Sequence, residues 1–261
     1  MFRNILGWDR SPRAPHGPRG TRLYAVGDVH GRYDLLREVA NLIREDLRGC
    51  PGDAFTVLLG DLIDRGPQSR EVVDSLARRD FPTPFTALMG NHEAAMLHAL
   101  ESDKAFELWL GMGGSETLAS YLGGVPRPGA VDRPALMRAL PEEHLTFIEA
   151  MPPTYAAGDF FFCHAGIRPG VPLERQTPAD LLWIREPFLS STRNHGKVIV
   201  HGHTPVPAPM FLSNRIALDT GAFATGKLTC IAIDEAEIRV LTPAEECGGE
   251  TADRVSAGLT R

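Results

Sequence analysis

Cysteine is scarce in this chain. Four occur in 261 residues, at Cys50, Cys163, Cys230 and Cys247, and no two form a CxxC pair. A zinc ribbon and a dithiol redox motif are therefore not indicated, nor is a disulfide framework. Long apolar runs are also missing. No stretch of 18 apolar residues exists, so nothing reads as a membrane span. There is no excess of positive charge: the net charge is −6, which gives no sign of broad nucleic-acid binding. The first twenty residues lack the apolar centre of a secretory signal, and the expectation is a cytoplasmic protein. No repeat of solenoid period is present.

What is present begins with an arm. Residues 1–20 carry Arg3, Arg10, Arg13 and Arg19 among Pro12, Pro15, Pro18, Gly17 and Gly20, a composition that opposes regular structure. A flexible basic arm is expected there, and a short polar tail over 244–261. Between them, residues 21–243 read as one domain.

Regular patterning starts at Arg22. Leu23 to Val26 is a buried-strand run, and Tyr33 to Asp46 then places Leu35, Leu36, Val39, Leu42 and Ile43 at helical spacing, with Asp34 as N-cap. Phe55 to Leu59 is a second strand and Ser69 to Arg79 a second helix. Phe85 to Met89 is a third strand, and a third helix starts at Glu93. This alternation predicts largely parallel strands with helices on the faces. Residues 101–151 break it and read as a helical insertion, either shaping access to a site or packing without touching one. Phe160 to Cys163 and Lys197 to Val200 are strands again. Ile216 to Gly221, Leu228 to Ile233 and Ile238 to Leu241 resemble a meander, so a second sheet with several antiparallel strands is expected.

The chemistry gathers where strands end. Gly27-Asp28-Val29-His30-Gly31 follows the first strand and Gly60-Asp61-Leu62-Ile63-Asp64-Arg65-Gly66 the second. Gly90-Asn91-His92-Glu93 follows the third, His164-Ala165-Gly166 the fourth, and His201-Gly202-His203-Thr204-Pro205 the fifth. In open α/β sheets ligands sit beyond the carboxyl ends of the strands. Asp28, His30, Asp61, Asn91, His164 and His203 mix carboxylate, imidazole and amide oxygen, a set suited to first-row divalent ions. Six ligands exceed the needs of one open site. Asp61, in the middle of the series, is assigned as the bridge between two ions, which in such sites lie roughly 3.5–4 Å apart. Gly27, Gly60 and Gly90 are expected to let the backbone turn sharply. Cys163 reads as a core residue, Asp219 as a turn or supporting group, and His16, His98, His144 and His195 as structural or exposed. His201 reads as buried at a strand end or supporting the ligands.

The ordered series GDxHG, GDxxDRG, GNHE, HAG and GHTP resembles the PPP-type serine/threonine phosphatases within the calcineurin-like metallophosphoesterases, above all their short bacterial and phage members. The resemblance runs from Leu23 to Ile233. It implies an α/β fold: a β-sandwich of two mixed sheets flanked by helices, with a helical insertion. It also implies two divalent ions, manganese first, with iron or zinc as alternatives. Asp28, His30 and Asp61 would hold one ion, and Asp61, Asn91, His164 and His203 the other. His92, oriented by Asp64, would protonate the leaving group. Arg65, Asn91 and Arg185, in Trp183-Ile184-Arg185, would contact the phosphoryl group. The implied reaction is hydrolysis of phosphoserine or phosphothreonine in a protein or peptide, without a phosphoenzyme, by attack of a metal-bridging hydroxide, with phosphotyrosine as an additional substrate class that the resemblance allows. Neither nucleic acid nor membrane is expected as partner.

Two alternatives stand beside this. One is hydrolysis of dinucleoside polyphosphates or nucleotides. The symmetrical dinucleoside tetraphosphatases resemble the chain but tend to lack the acid at Asp64 and to carry Asp in place of Glu93. The other is a metal-binding scaffold without turnover, which the intact ligand set disfavours.

Overall fold

The protein is described here by a computed structural model covering residues 15–48, 52–124, 132–235 and 237–242. Most of the expected arm and all of the tail at 244–261 lie outside these residues, as do Cys50 and Cys247. Residues 15–20 run along the fold, where the His16 amide donates to Asp159 Oδ2 at 2.9 Å and Gly17 N to Glu235 O at 3.1 Å.

The first half alternates as its periodicity requires. Strand β1 (Thr21–Val26) leads to helix α1 (Tyr33–Leu47), β2 (Asp53–Leu58), α2 (Ser69–Ala77), β3 (Phe85–Ala87) and α3 (Asn91–Ala99). β1, β2 and β3 pair in parallel, which delivers their C-terminal ends to one edge. Leu23 and Ala25 of β1 face one core while Tyr24 and Val26 face another, the period-2 signature of a strand buried on both sides. The first core lies between the sheets, where Val57 and Leu59 meet Phe160, Phe162, Val200 and Ile216. The second lies under the helices.

The described residues within 101–151 form the expected helical segment: α4 (Asp103–Trp109), a kink over Leu110–Gly114, α5 (Ser115–Leu122), α6 (Arg133–Ala139) and α7 (Glu142–Glu149). Phe106, Trp109, Leu118, Leu136 and Ile148 join the helix-side core, so the insertion packs on the first sheet.

The second sheet is built from β4 (Thr154–Ala157), β5 (Phe160–Cys163), β6 (Val198–His201), β7 (Met210–Phe211) and β8 (Arg215–Ala217), in the order β4-β5-β6-β8-β7. The short helix α8 (Pro178–Trp183) stands between β5 and β6, and α9 (Ala222–Thr225) follows β8. Two mixed sheets flanked by helices match the expected fold class.

Three local expectations are corrected. The late strands do not form one meander. β8 runs parallel to β6 in the second sheet, whereas β9 (Cys230–Ile233) joins the first sheet antiparallel to β1 and β10 (Ile238–Val240) pairs antiparallel with β9 at its edge. Alternation alone marks a strand but not the sheet that accepts it. Asp34 is not the N-cap of α1. Arg32 holds that position, and Asp34 sits in the first turn as its partner at 2.6 Å. Helix α3 begins at Asn91 rather than Glu93, so Asn91 and His92 are first-turn residues, not loop residues.

Candidate metal centre

All of the strand-end turns meet at one edge of the sandwich, and their backbones are unusual there. Among the described residues six non-glycines have positive φ, and five belong to these turns: His30, Asp61, Asp64, Arg65 and His203. Left-handed backbone costs energy for residues with a side chain and collects at functional sites. The glycines serve a different need from the one expected. Gly60 does turn at φ 94°, but Gly90 lies at φ −96°. A Cβ on Gly90 would strike the backbone and carboxylate of Asp61, so glycine is required there for close approach.

Asp61 stands at the centre. Its Oδ2 lies 3.4 Å from His164 Nε2, 3.6 Å from His30 Nε2 and 3.8 Å from His92 Nε2. Two groups of metal-capable atoms result, His30–Asp61–His92 and Asp61–His164–His203, and they share Asp61. Asn91 Oδ1 sits between His164 Nε2 at 2.8 Å and His203 Nδ1 at 2.9 Å. Asp28 stands beside the second group. Its Oδ2 accepts from the His203 amide at 2.9 Å, while its Oδ1 is buried without a partner.

The loop carrying Asp61 is held by Glu93, a fully buried residue of α3. The Glu93 carboxylate accepts from the amides of Asp61 at 2.9 Å, Leu62 at 2.7 Å, Ile63 at 3.2 Å and Gly90 at 3.0 Å. It therefore ties the second and third turns together. The sequence reading used Glu93 only as a family discriminator and missed this bracing, whose signal was its place directly after the ligand candidates.

Ring orientation is fixed from behind. His30 Nδ1 faces Ile63 O at 3.0 Å and His164 Nδ1 faces Leu59 O at 2.9 Å, which leaves each Nε2 turned toward Asp61. A backbone acceptor behind the ring is the usual way a ligand histidine is aimed. Arg65 Nη1 donates to His30 Nε2 at 3.1 Å, and its Nη2 to His92 Nε2 at 3.0 Å. A guanidinium cannot accept, so both rings offer a lone pair at Nε2 and carry their proton on Nδ1. In His92 that proton points at Asp64 Oδ2, 2.7 Å away.

Electrostatics agree with a centre that takes cations. Burial pulls the His30 and His203 imidazoles down to about 3, so both are neutral. Neutral rings are what metal ligation needs. Burial, reinforced by Asp219, raises Asp28 well above the usual carboxylate range. Burial would raise Asp61 too, but His164 and His92 hold it well below that range. His164 shows the converse: burial opposes its charge, yet Asp61 brings it up to about 10. The residues fit divalent ions. Two donor groups share a carboxylate, and the bare His203 Nε2 and Asp28 Oδ1 are buried polar atoms lacking the partner that burial demands.

A family model described as calcineurin-like phosphoesterase matches residues 21–228. The chain belongs to this family. Calcineurin-like phosphoesterases use a dinuclear metal site, and the paired His/Asp groups occupy its expected place at the strand ends. Relatives of this chain carry two kinds of name. The bis(5'-nucleosyl)-tetraphosphatase PrpE [asymmetrical] of Anoxybacillus flavithermus is 26% identical over 240 residues, covering 81% of this chain and 90% of that protein. Serine/threonine-protein phosphatase 1 of Salmonella typhimurium is 30% identical over 215 residues, covering 79% and 89%. Among solved structures, one provisionally assigned as a diadenosine tetraphosphatase superposes with a TM-score of 0.62 at 20% identity, over 87% of this chain and 97% of the other. At that identity the likeness shows the fold alone.

The remaining sequence candidates fall as follows. Arg185 is exposed just after α8, where its charge helps depress His203. His201 is buried at the end of β6, edge-on to Phe188 at 5.0 Å, and is in neither donor group. Asp219 accepts from Gly221 N at 2.8 Å, a turn role, and Cys163 is buried in the core. His144 is buried between Tyr121 and Asp74, at 2.9 and 3.3 Å. Two residues at the centre went unremarked in the sequence. Phe223 lies under the Arg65 guanidinium at 5.0 Å, and Thr117 bonds Asp64.

Proposed function

We propose that this calcineurin-like phosphoesterase removes phosphate from phosphoserine and phosphothreonine residues of proteins. The observation that carries the reading is the buried pair Asp64–His92. A serine alkoxide is a poor leaving group and needs a proton, whereas a nucleotide leaving as a phosphate anion needs little help. A positioned general acid contributes about 10²–10⁴ in rate. His92 is set up for this: burial lowers its affinity for a proton, but Asp61 and Asp64 outweigh burial and raise it. Its Nε2 faces the centre, and Asp64 fixes the ring from behind.

In this reading His30 and Asp28 with Asp61, and Asn91, His164 and His203 with Asp61, hold two divalent ions, manganese first. Bound there, the ions supply Lewis acidity and an activated water nucleophile. Arg65 leaves the two imidazoles to clamp phosphoryl oxygens, for which its planar fork suits it. Arg185, whose charge acts on His203, would be the second arginine for the phosphoryl group.

Hydrolysis of dinucleoside polyphosphates is the second reading, favoured by the names of several relatives. Those relatives are called asymmetrical, so the contrast of Asp64 and Glu93 with the symmetrical enzymes does not decide between the two. Parallel assays of the manganese-loaded protein on a phosphoserine peptide and on diadenosine tetraphosphate do decide. A higher kcat/KM on the peptide is expected, and a strong preference for the nucleotide would overturn the protein-phosphatase reading.

A further inference from the structure

Three residues at four-residue intervals, Trp109, Gly113 and Thr117, lie against Asp64 and Arg65. Trp109 Nε1 donates to Asp64 Oδ2 at 2.9 Å. Thr117 Oγ1 donates to Asp64 Oδ1 at 2.7 Å and accepts from Asp64 N at 2.8 Å. Gly113 O accepts from Arg65 N at 3.0 Å. All three belong to the helical insertion. The geometry assigns this face of the insertion as a positioning element for the acid and the phosphate-binding arginine: it supplies two of the three donors to the Asp64 carboxylate and the acceptor for the Arg65 amide.

Several independent features lead there. Asp64 and Arg65 have φ values of 71° and 68°, a left-handed pair that persists only where surroundings over-determine it. The second-turn loop supplies the residues but not the side-chain donors. Apart from His92 itself, both donors to the Asp64 carboxylate come from the insertion. The helix is also broken to allow the contact. Over Leu110–Gly114 the chain kinks between α4 and α5, with Gly113 at φ 111°, and a Cβ there would press on Arg65. Finally, Trp109, Thr117 and Asp64 are all buried, so water does not compete for these bonds.

Trp109 and Thr117 touch no ligand candidate and are positioning residues, acting through Asp64 on His92. This inference rests on His92 acting as the acid, and it distinguishes itself from a packing role by leaving-group dependence. Thr117→Val keeps the side-chain shape and Trp109→Phe keeps an aromatic ring of smaller volume; each deletes one donor to Asp64. The measurement is kcat of the manganese-loaded full chain on phenyl phosphate, whose leaving group needs a proton, and on p-nitrophenyl phosphate, whose leaving group needs it less. Each variant is expected to lose at least fivefold more on phenyl phosphate than on the nitrophenyl ester, and Thr117→Ser to restore the wild-type ratio. Equal losses on both esters would overturn the inference, as would no loss on either or a ratio that Thr117→Ser fails to restore. Melting curves show whether each variant is folded, and Thr117→Ala serves if valine is not tolerated. The wild-type preference between peptide and nucleotide tests the proposed function separately, because the inference reads only variant-to-wild-type ratios.

Discussion

The two ends of strand β1 carry charged clusters of opposite character. At its start, Asp46 of α1 accepts from Arg22 at 2.8 Å, Tyr24 Oη at 2.7 Å and Arg239 at 2.9 Å, while Arg22 also meets Asp234 at 2.7 Å. Each carboxylate there faces an arginine, and none of these residues has left-handed backbone. At the other end, Asp28 and Asp61 lie among histidines, with unpartnered buried atoms and strained turns. Both clusters are reached by the same strand. The first is complete with protein groups alone; the second presents two donor groups that fit divalent cations. Left-handed backbone, found at five residues of the strand-end turns and at one other non-glycine among the described residues, therefore locates the site more sharply than burial or charge does.

Removing the acid should produce the largest effect. His92→Asn is expected to lower kcat on a phosphoserine peptide by about 10²–10⁴ and to cost less on p-nitrophenyl phosphate. Steady-state kinetics on both substrates checks this, and equal losses would count against His92 as the acid.

The opposite end should respond in stability and not in turnover. Asp46→Asn leaves Arg22 and Arg239 short of their acceptor and should destabilise by about 1–3 kcal/mol, read from urea unfolding. Burial works against the Asp46 charge, but the Arg239 and Tyr24 bonds and the arginine charges hold it below its ordinary range. A depressed carboxylate stabilises above its unfolded value, near 3.9, and the contribution is lost as pH falls through the lower folded value. The deficit of Asp46→Asn should accordingly be full at neutral pH and shrink below about pH 4. A deficit independent of pH would show that packing, not charge, is responsible.

The smallest effect is expected at the rim. Phe223 supports the Arg65 guanidinium from a half-exposed position. An exposed cation–π contact is worth about 0.5–1 kcal/mol. Phe223→Leu should therefore raise KM about two- to fivefold with kcat nearly kept; a fall in kcat alone would place Phe223 in the chemistry instead.

The sequence made the parallel strands β1 to β3 and the gathering of the ligand candidates at strand ends legible because both are local. Period-2 runs mark strands, and a glycine followed by a ligand residue marks where each strand ends. The sheet that accepts β9 was not legible, since strand order depends on partners far along the chain. Nor was the bracing of Asp61 by Glu93, which needs four amides from two separate turns. The insertion illustrates the limit best. Its composition reads as helix, but the contacts of Trp109 and Thr117 with Asp64 span 45 and 53 positions.

The central claim is that the strand-end cluster holds two cations through a shared Asp61 carboxylate. Elemental analysis of the manganese-saturated, dialysed protein tests it most directly, with Asp61→Asn alongside. Two equivalents per chain are predicted for the wild type and fewer than one for Asp61→Asn, whose melting without added metal should stay close to that of wild type. One equivalent or fewer in the wild type, or two retained by a folded Asp61→Asn, would contradict the shared-carboxylate centre.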